Sequence, residues 1–246
     1  MIRAIEARAA RLAKAHACEP GRPTSIGSLD ALVEIRRFLQ RAHNQLTAKG
    51  LPDLDAEKAA EWFLDNYHVV QRAIGQIERD MPSGFYRRLP RLSGRGGLPR
   101  VFVVAQEFVA ATDYRFDLVE LDGFVAAYQS ETALNTAELW ALPTMLRLVQ
   151  LEALTLSLSR ITDLALPGSL IAATEPQLRP VDVTARCLRD LMSLATIKWS
   201  DFFERHSRID SVLRKDPAGA YGSMDFETRD RYRRATIQCN AEMTHR

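Results

Sequence analysis

The feature that most constrains the fold is the spacing of apolar residues, which recur along most of the chain at steps of three and four. Residues 55–80 give the clearest example. Their apolar stripe includes Ala60, Phe63, Leu64, Tyr67, Val70, Ile74 and Ile77. Because an α-helix turns once every ~3.6 residues, this spacing places the apolar side chains on one face of a helix. The sequence therefore predicts an all-α fold, a multi-helix bundle of roughly eight to nine helices.

Short polar residues mark where several of these helices begin. We expect Ser28, Asp55, Thr136 and Ser200 to cap helices and Asp117 to begin another. The reason is that their side-chain oxygens accept hydrogen bonds from the free backbone N–H groups of a first turn.

The apolar run 101–105 can be interpreted in two ways. Its sequence, Val-Phe-Val-Val-Ala, is β-branched enough to form a strand. Gln106, Glu107 and Phe108 continue a helical period, so we predict a helix that begins near Pro99, with a strand as the alternative.

Residues 167–180 are rich in Pro, Gly and Thr and give the best internal boundary. We accordingly predict N-terminal amphipathic helices in 1–50, a central helical bundle in 51–166 and a C-terminal helical segment in 181–246.

The composition fits a globular protein without a general attraction to polyanions. Hydrophobic residues make up 46% of the 246 residues, which is enough to bury a sizeable core, and the net charge is +2. No nucleic-acid partner is expected. Three widely separated cysteines, Cys18, Cys187 and Cys239, indicate a reducing compartment. The charged residues of segment 1–17 and the absence of an apolar run of ~20 residues predict a cytoplasmic chain without a signal or membrane helix.

Two patterns could carry catalysis, and each has a simpler structural interpretation. Asp65 precedes His68 by three positions, so its carboxylate could orient the imidazole as in a general base, although no nucleophile is evident nearby. A self-contained enzyme that uses His68 and Asp65 is therefore one alternative. The acids Asp113, Asp117, Glu120 and Asp122 could include a glycosidase-like pair, but caps and solvated charges explain them more simply. We assign no catalytic residue, metal ligand or cofactor.

Two arginine-rich segments are the candidates for contact with a partner. The first lies between Phe85 and Arg100, and the second is the predicted charged helix from Asp225 to Arg234. Arginines beside aromatic rings can hold phosphates or anionic lipid headgroups, and a solvated surface is the plainer interpretation. The residues we assign to partner contact are Phe85, Tyr86, Arg87, Arg88, Arg91, Arg229, Arg231 and Arg233.

Several strings are too particular for generic helices. They are residues 62–90, 98–102 (Leu-Pro-Arg-Val-Phe), 138–143 (Glu-Leu-Trp-Ala-Leu-Pro), 199–205 (Trp-Ser-Asp-Phe-Phe-Glu-Arg) and 224–233. In their order and context they resemble the N-terminal region of the cyclic β-1,2-glucan synthases, and the resemblance covers most of 55–235. Two departures, an apparent shortening between 160 and 184 and the loss of the pattern after Arg234, suggest a truncated product.

The resemblance implies a role without assigning a site. Members of that family are large bacterial inner-membrane enzymes that build cyclic glucans from UDP-glucose, and their transferase motifs lie beyond this region. The implied role is a non-catalytic accessory region that contacts other domains of the synthase or its membrane face. The implied location is the cytoplasmic face of the inner membrane, and UDP-glucose would be met only through the parent enzyme. The alternative is a freestanding helical module that binds a partner or anionic lipid.

Overall fold

The computed structural model describes residues 2–19, 27–48, 53–93, 97–168, 170 and 177–244, with the side chains of 2, 19, 27–30, 234 and 237–244 left out. Thirteen helices and two two-residue strands occur in these ranges. The all-α prediction is confirmed. The count of roughly eight to nine helices is wrong, because short helices and helix breaks add to the number that periodicity indicates.

The elements follow one another along the chain in this order. They are α1 (Ile2–Ala15), β1 (Cys18–Glu19), α2 (Gly27–Ala48), α3 (Leu54–Asp65), α4 (Tyr67–Asp80), α5 (Ser83–Tyr86), β2 (Arg91–Leu92), α6 (Arg100–Ala111), α7 (Leu118–Glu131), α8 (Thr136–Ser159), α9 (Pro180–Thr196), α10 (Trp199–His206), α11 (Arg208–Leu213), α12 (Ala220–Ser223) and α13 (Phe226–Thr244).

The chain forms two compact units, Met1–Ile197 and Lys198–Arg246. Helix α9 belongs to the first, where it packs on α8 and α3. The predicted boundary at 167–180 lies partly outside the described residues. The three-part division of the sequence stays a prediction.

Helix α8 is the centre of the first unit. It packs against α2, α4, α6 and α9, and it is buried on nearly all of its faces between Leu139 and Leu158. A helix enclosed in this way lacks a solvent face, which explains why its apolar residues are spread around the whole helix. Helices α1 and α7 pack together, and β1 pairs antiparallel with β2, with Cys18 opposite Leu92.

Two predicted caps are wrong by one or two positions. Asp53, not Asp55, caps α3, because its extended backbone lets Oδ1 accept the N–H of Ala56 at 2.8 Å. Asn135, not Thr136, caps α8, where it forms a reciprocal capping box with Glu138.

The remaining caps divide between correct and wrong predictions. Asp117 does begin α7, and its side chain accepts the N–H of Glu120 at 2.9 Å. Ser200 does not cap, because α10 already begins at Trp199. Ser207 instead interrupts the expected helix and caps α11 through the N–H of Asp210 at 3.2 Å. The side chain of Ser28 lies outside the described residues.

The single helix expected over 55–80 is broken at Asn66. The Asn66 side-chain amide donates to the carbonyl of Trp62 at 2.9 Å, and the backbone N–H of Asn66 also reaches that carbonyl. Asparagine favours such local bonds over a continuing helix, so α3 ends at Asp65 and α4 begins at Tyr67. The break places His68 in the first turn of α4.

Candidate functional site

The first arginine-rich segment is partly buried. Tyr86 and Arg91 are 1% and 5% exposed, whereas Arg87 and Arg88 are exposed and Phe85 is intermediate. The Arg91 guanidinium lies 5.3 Å from the centre of the Tyr86 ring and contacts the carbonyl of Gly97. Of the predicted contact residues here, Arg87 and Arg88 are therefore exposed to solvent, while Tyr86 and Arg91 serve the local packing.

The arginines of the second arginine-rich segment differ in how deeply they are buried. Arg231 is exposed, Arg229 is intermediate and Arg233 is 1% exposed. Arg229 and Arg233 are four residues apart on α13, so they share a helix face, and that face turns inward. The i,i+4 spacing of Arg229 and Arg233 is the feature of the sequence from which their position on one helix face could have been predicted.

Arg233 is the cation of a buried polar cluster in the second unit. Its Nη1 donates to Asp210 Oδ1 at 2.8 Å and to the Tyr221 hydroxyl oxygen at 3.1 Å. The Tyr221 hydroxyl donates in turn to Asp210 Oδ1 at 2.7 Å. The guanidinium also lies 5.0 Å from the centres of the Phe203 and Phe226 rings. These contacts join α10, α11, α12 and α13.

Further arginines extend this cluster toward its edge. Arg229 binds Glu204 through two hydrogen bonds of 2.9 and 3.1 Å, and Arg214 reaches both Glu204 and Asp210. Burial alone would raise the pKa of Asp210, but hydrogen bonds from Arg214 and Tyr221 outweigh burial and hold that pKa below its ordinary value. A carboxylate kept ionised and surrounded by donors holds the unit together.

The residues considered for catalysis are not assembled into a site. Asp65 and His68 are both exposed, lie on opposite sides of the Asn66 break and form no hydrogen bond with each other. Asp117 is a helix cap. Asp113 has a left-handed backbone (φ 50°), and its carbonyl accepts Arg186 Nη1 at 2.7 Å. Within the described ranges, no group of three or more His, Cys, Asp or Glu side chains could hold a metal ion.

A buried ion pair that the sequence did not reveal joins α6 to α8. Arg100 Nε donates to Glu138 Oε1 at 2.7 Å, its Nη2 contacts Glu138 Oε2, and Nη2 also donates to the carbonyl of Ala133 at 2.9 Å. Glu138 is fully buried and also accepts the backbone N–H of Asn135. One carboxylate thus completes a helix cap and neutralises a buried cation.

Two more acids lie in the interior of the first unit. Burial raises the pKa of Glu152 to about 8, an effect that Gln106 only partly opposes, and neither carboxyl oxygen has a hydrogen bond of normal geometry to a described residue. Burial also raises the pKa of Asp190 to about 7, although Asp190 Oδ2 accepts Gln150 Nε2 at 2.8 Å. Both acids resist ionisation because the core around them cannot solvate charge.

Replacing Glu152 with Gln should stabilise the protein at alkaline pH and leave it nearly unchanged at pH 5. The folded pKa of Glu152 exceeds the ordinary value of 4.5, so the folded state holds a proton that the unfolded state has released. The contribution of Glu152 to the free energy of unfolding therefore falls as pH rises from about 4.5 to about 8. We expect a gain of about 1–3 kcal/mol at pH 9. Urea unfolding at both pH values measures it.

The control for this prediction is Glu61→Gln on the exposed surface of α3. It removes the same charge without changing a buried group, so it should leave the pH dependence intact. An equal change in both variants would contradict the assignment to Glu152.

A pocket of about 250 Å³ lies between α4, α8 and α9. Its polar lining includes His68, Arg72, Gln76 and Arg147. The sequence suggests a pairing of His68 with Asp65, whereas the structure places His68 in the same pocket lining as these cationic and amide side chains. In the sequence, His68, Arg72 and Gln76 recur at four-residue steps, which was the available signal.

Comparison with known proteins gives one similarity and one negative result. No family model matches the chain. The chain is 44% identical over 97 residues to the cyclic beta-(1,2)-glucan synthase NdvB of Rhizobium meliloti (strain 1021). The matched stretch covers 39% of this chain. It covers only 3% of the length of the Rhizobium meliloti protein. The predicted resemblance to this kind of synthase is confirmed over that stretch.

Among the described residues, no helix combines the length and apolar character needed to cross a bilayer.

Proposed function

We propose that this chain is a helical accessory region of a cyclic β-1,2-glucan synthase-like glucosyltransferase, where it contributes contacts between domains or regulates glucan synthesis. The observation that carries the proposal is the 44% identity over 97 residues to the Rhizobium meliloti synthase. The chain spans 3% of the length of that protein, so the proposal concerns a part of such an enzyme and not its whole activity.

The use of the ionisable side chains supports an accessory role. Asp117 caps a helix, Glu138 completes a capping box and neutralises Arg100, and Asp210 holds the second unit together. Each has a structural partner that accounts for its position. A chain that uses its acids in this way is equipped for folding and docking.

The exposed arginines define where docking would occur. Arg87 and Arg88 on the first unit and Arg231 on the second are exposed. Such rim cations favour association with an acidic surface and add specificity more than affinity. In this proposal they face other domains of the synthase or its membrane side.

Exchange of the matched segment tests the proposal. The matched 97 residues of the Rhizobium meliloti synthase would be replaced by those of this chain, and cyclic glucan would be measured in cells. We expect synthesis to persist. If the exchanged segment includes Arg87 and Arg88, alanine at both should reduce synthesis several-fold, while alanine at the exposed Lys58 and Arg79 should not. If it lies elsewhere, the same variants are made in the parent enzyme at its aligned positions.

The purified chain provides the complementary measurement. We expect it neither to transfer nor to hydrolyse glucose from UDP-glucose. Turnover by this chain alone, lost on His68→Ala without loss of folding, would contradict the accessory role and favour a self-contained enzyme.

A further inference from the structure

The pocket between α4, α8 and α9 contains a buried cation with little of its bonding capacity used. Arg147 is 3% exposed and lines the pocket from α8. One hydrogen bond, from Nη2 to the carbonyl of Leu194 at 3.1 Å, accounts for one of its five N–H donors. That bond satisfies a carbonyl in the last turn of α9.

No carboxylate of a described residue forms an ion pair with Arg147. Burial lowers the pKa of Arg147, and Asp80, at the end of α4, opposes this effect without forming an ion pair. The buried cations Arg100 and Arg233 each donate directly to a carboxylate. Burying a cation without a hydrogen-bonded counter-charge is costly, so Arg147 would gain from an added anion.

Three more polar side chains line the same pocket from α4. His68, Arg72 and Gln76 lie at successive four-residue steps, so they form one stripe along the helix. None of the three forms a hydrogen bond or ion pair with another described residue. The lining contains no acidic residue. Two guanidinium groups, an imidazole and an amide therefore share a pocket whose lining carries no acidic side chain.

We propose that this pocket binds a small soluble phosphate, held by the guanidinium groups of Arg147 and Arg72 with His68 and Gln76 as further donors. Guanidinium presents a planar fork of N–H groups that matches the oxygens of a phosphate. The apolar side chains of Val69 and Leu191 line part of the same pocket and would reduce competition from water.

The size of the pocket limits the ligand. At about 250 Å³ it lies below the ~300–1,000 Å³ typical of pockets for drug-sized molecules. Inorganic phosphate or a compact phosphate ester fits this volume better than a nucleotide sugar. The site would thus bind a small phosphate dianion, and this inference is independent of whether the chain works within a synthase.

Thermal unfolding of the full chain in inorganic phosphate tests the site. Ionic strength would be held constant with sodium chloride at pH 7.5. We expect a saturable rise in the melting temperature of the first unit, about 3–5 °C at ten times the dissociation constant. Calorimetric titration with the same phosphate gives that constant directly.

Matched variants separate the pocket from general electrostatics. Arg72→Gln should weaken phosphate binding about tenfold, the loss of one charge-assisted hydrogen bond. Arg79→Gln removes the same charge from an exposed position of α4 outside the pocket and should leave binding unchanged. Arg147→Lys keeps the charge but loses the fork, so it should also weaken binding.

Three results would overturn the proposal. The first is an equal rise in melting temperature with chloride and with phosphate. The second is an equal loss of phosphate affinity in Arg72→Gln and Arg79→Gln. The third is binding to phosphatidylglycerol vesicles without any response to inorganic phosphate. The last result would assign the cations to a lipid surface. Because Arg72 is exposed, its variant should fold normally even if Arg147→Lys does not.

Discussion

Replacing Arg233 with methionine is expected to destabilise the second unit by about 3 kcal/mol, because it leaves buried Asp210 without its most enclosed partner. Methionine is unbranched and apolar, so it can still pack between the rings of Phe203 and Phe226. The loss then reports on the charge and its hydrogen bonds. A unit as short as Lys198–Arg246 has little stability to spare.

Amide hydrogen exchange in the full chain measures this effect for each unit separately. Amides of α10, α11 and α13 should lose protection, while those of α6 and α8 keep it. Arg231→Met is the matched control, because Arg231 lies on the same helix and is exposed. Arg231→Met should change the free energy of opening, as measured by amide exchange, by less than about 0.5 kcal/mol. Equal protection in the two variants would show that the buried cluster does not hold the unit together.

The sequence predicted the helices well because their apolar periods are long. Residues 101–105 could have formed a strand, and α6 was predicted correctly because Gln106 and Phe108 continue the helical period. The break at Asn66 was missed. An apolar stripe continues across it, and a single side chain-to-backbone bond ends the helix. Periodicity reports which face is buried and says little about where a turn is interrupted.

Caps were harder to place than helices because neighbouring residues offer the same chemistry. Asp53 and Asp55 both carry a carboxylate near the start of α3, and the extended backbone of Asp53 decides between them. Asn135 and Thr136 pose the same choice at α8. The deciding quantity is a backbone angle, which composition does not determine.

The buried charges were missed for a different reason. Arg100 and Glu138 are 38 positions apart, and Arg233 and Asp210 are 23 apart. In the sequence, a run of basic residues indicates an exposed surface, because the carboxylates that pair with some of them lie far away along the chain. Once the chain folds, arginines from the same run separate into exposed and buried ones, as Arg88 and Arg91 do. Identifying contact residues therefore required the structure.

Pairing also distinguishes the cations that stabilise the fold from those that remain available. Arg100 and Arg233 have carboxylate partners on other helices, which assigns them to folding. Arg91 is buried without a carboxylate partner, but it lies against the Tyr86 ring and contacts the carbonyl of Gly97. Arg147 is similarly buried, lines a pocket, and has one hydrogen bond to a described residue, the backbone carbonyl of Leu194. This difference supports a ligand for Arg147, since natural interiors rarely leave a buried charge without compensation.

Glu138→Ala should destabilise the first unit by about 3–5 kcal/mol. It strands the buried guanidinium of Arg100 and removes the hydrogen bond that Glu138 accepts from the N–H of Asn135. Glu138→Gln should cost less, about 2 kcal/mol, because glutamine can complete the same capping box while losing the charge. Urea unfolding followed by amide exchange of α6 and α8 measures both losses.

The double variant Arg100→Met/Glu138→Met distinguishes a stranded charge from lost packing. If the charge is the cause, replacing both partners should restore much of the stability that either single methionine variant loses, because no buried ion then lacks a partner. Glu131→Ala breaks the exposed pair with Lys14 and should change stability by less than about 1 kcal/mol. Losses in the double variant that equal the sum of the single losses would instead mean that Arg100 and Glu138 act independently, through packing and capping alone.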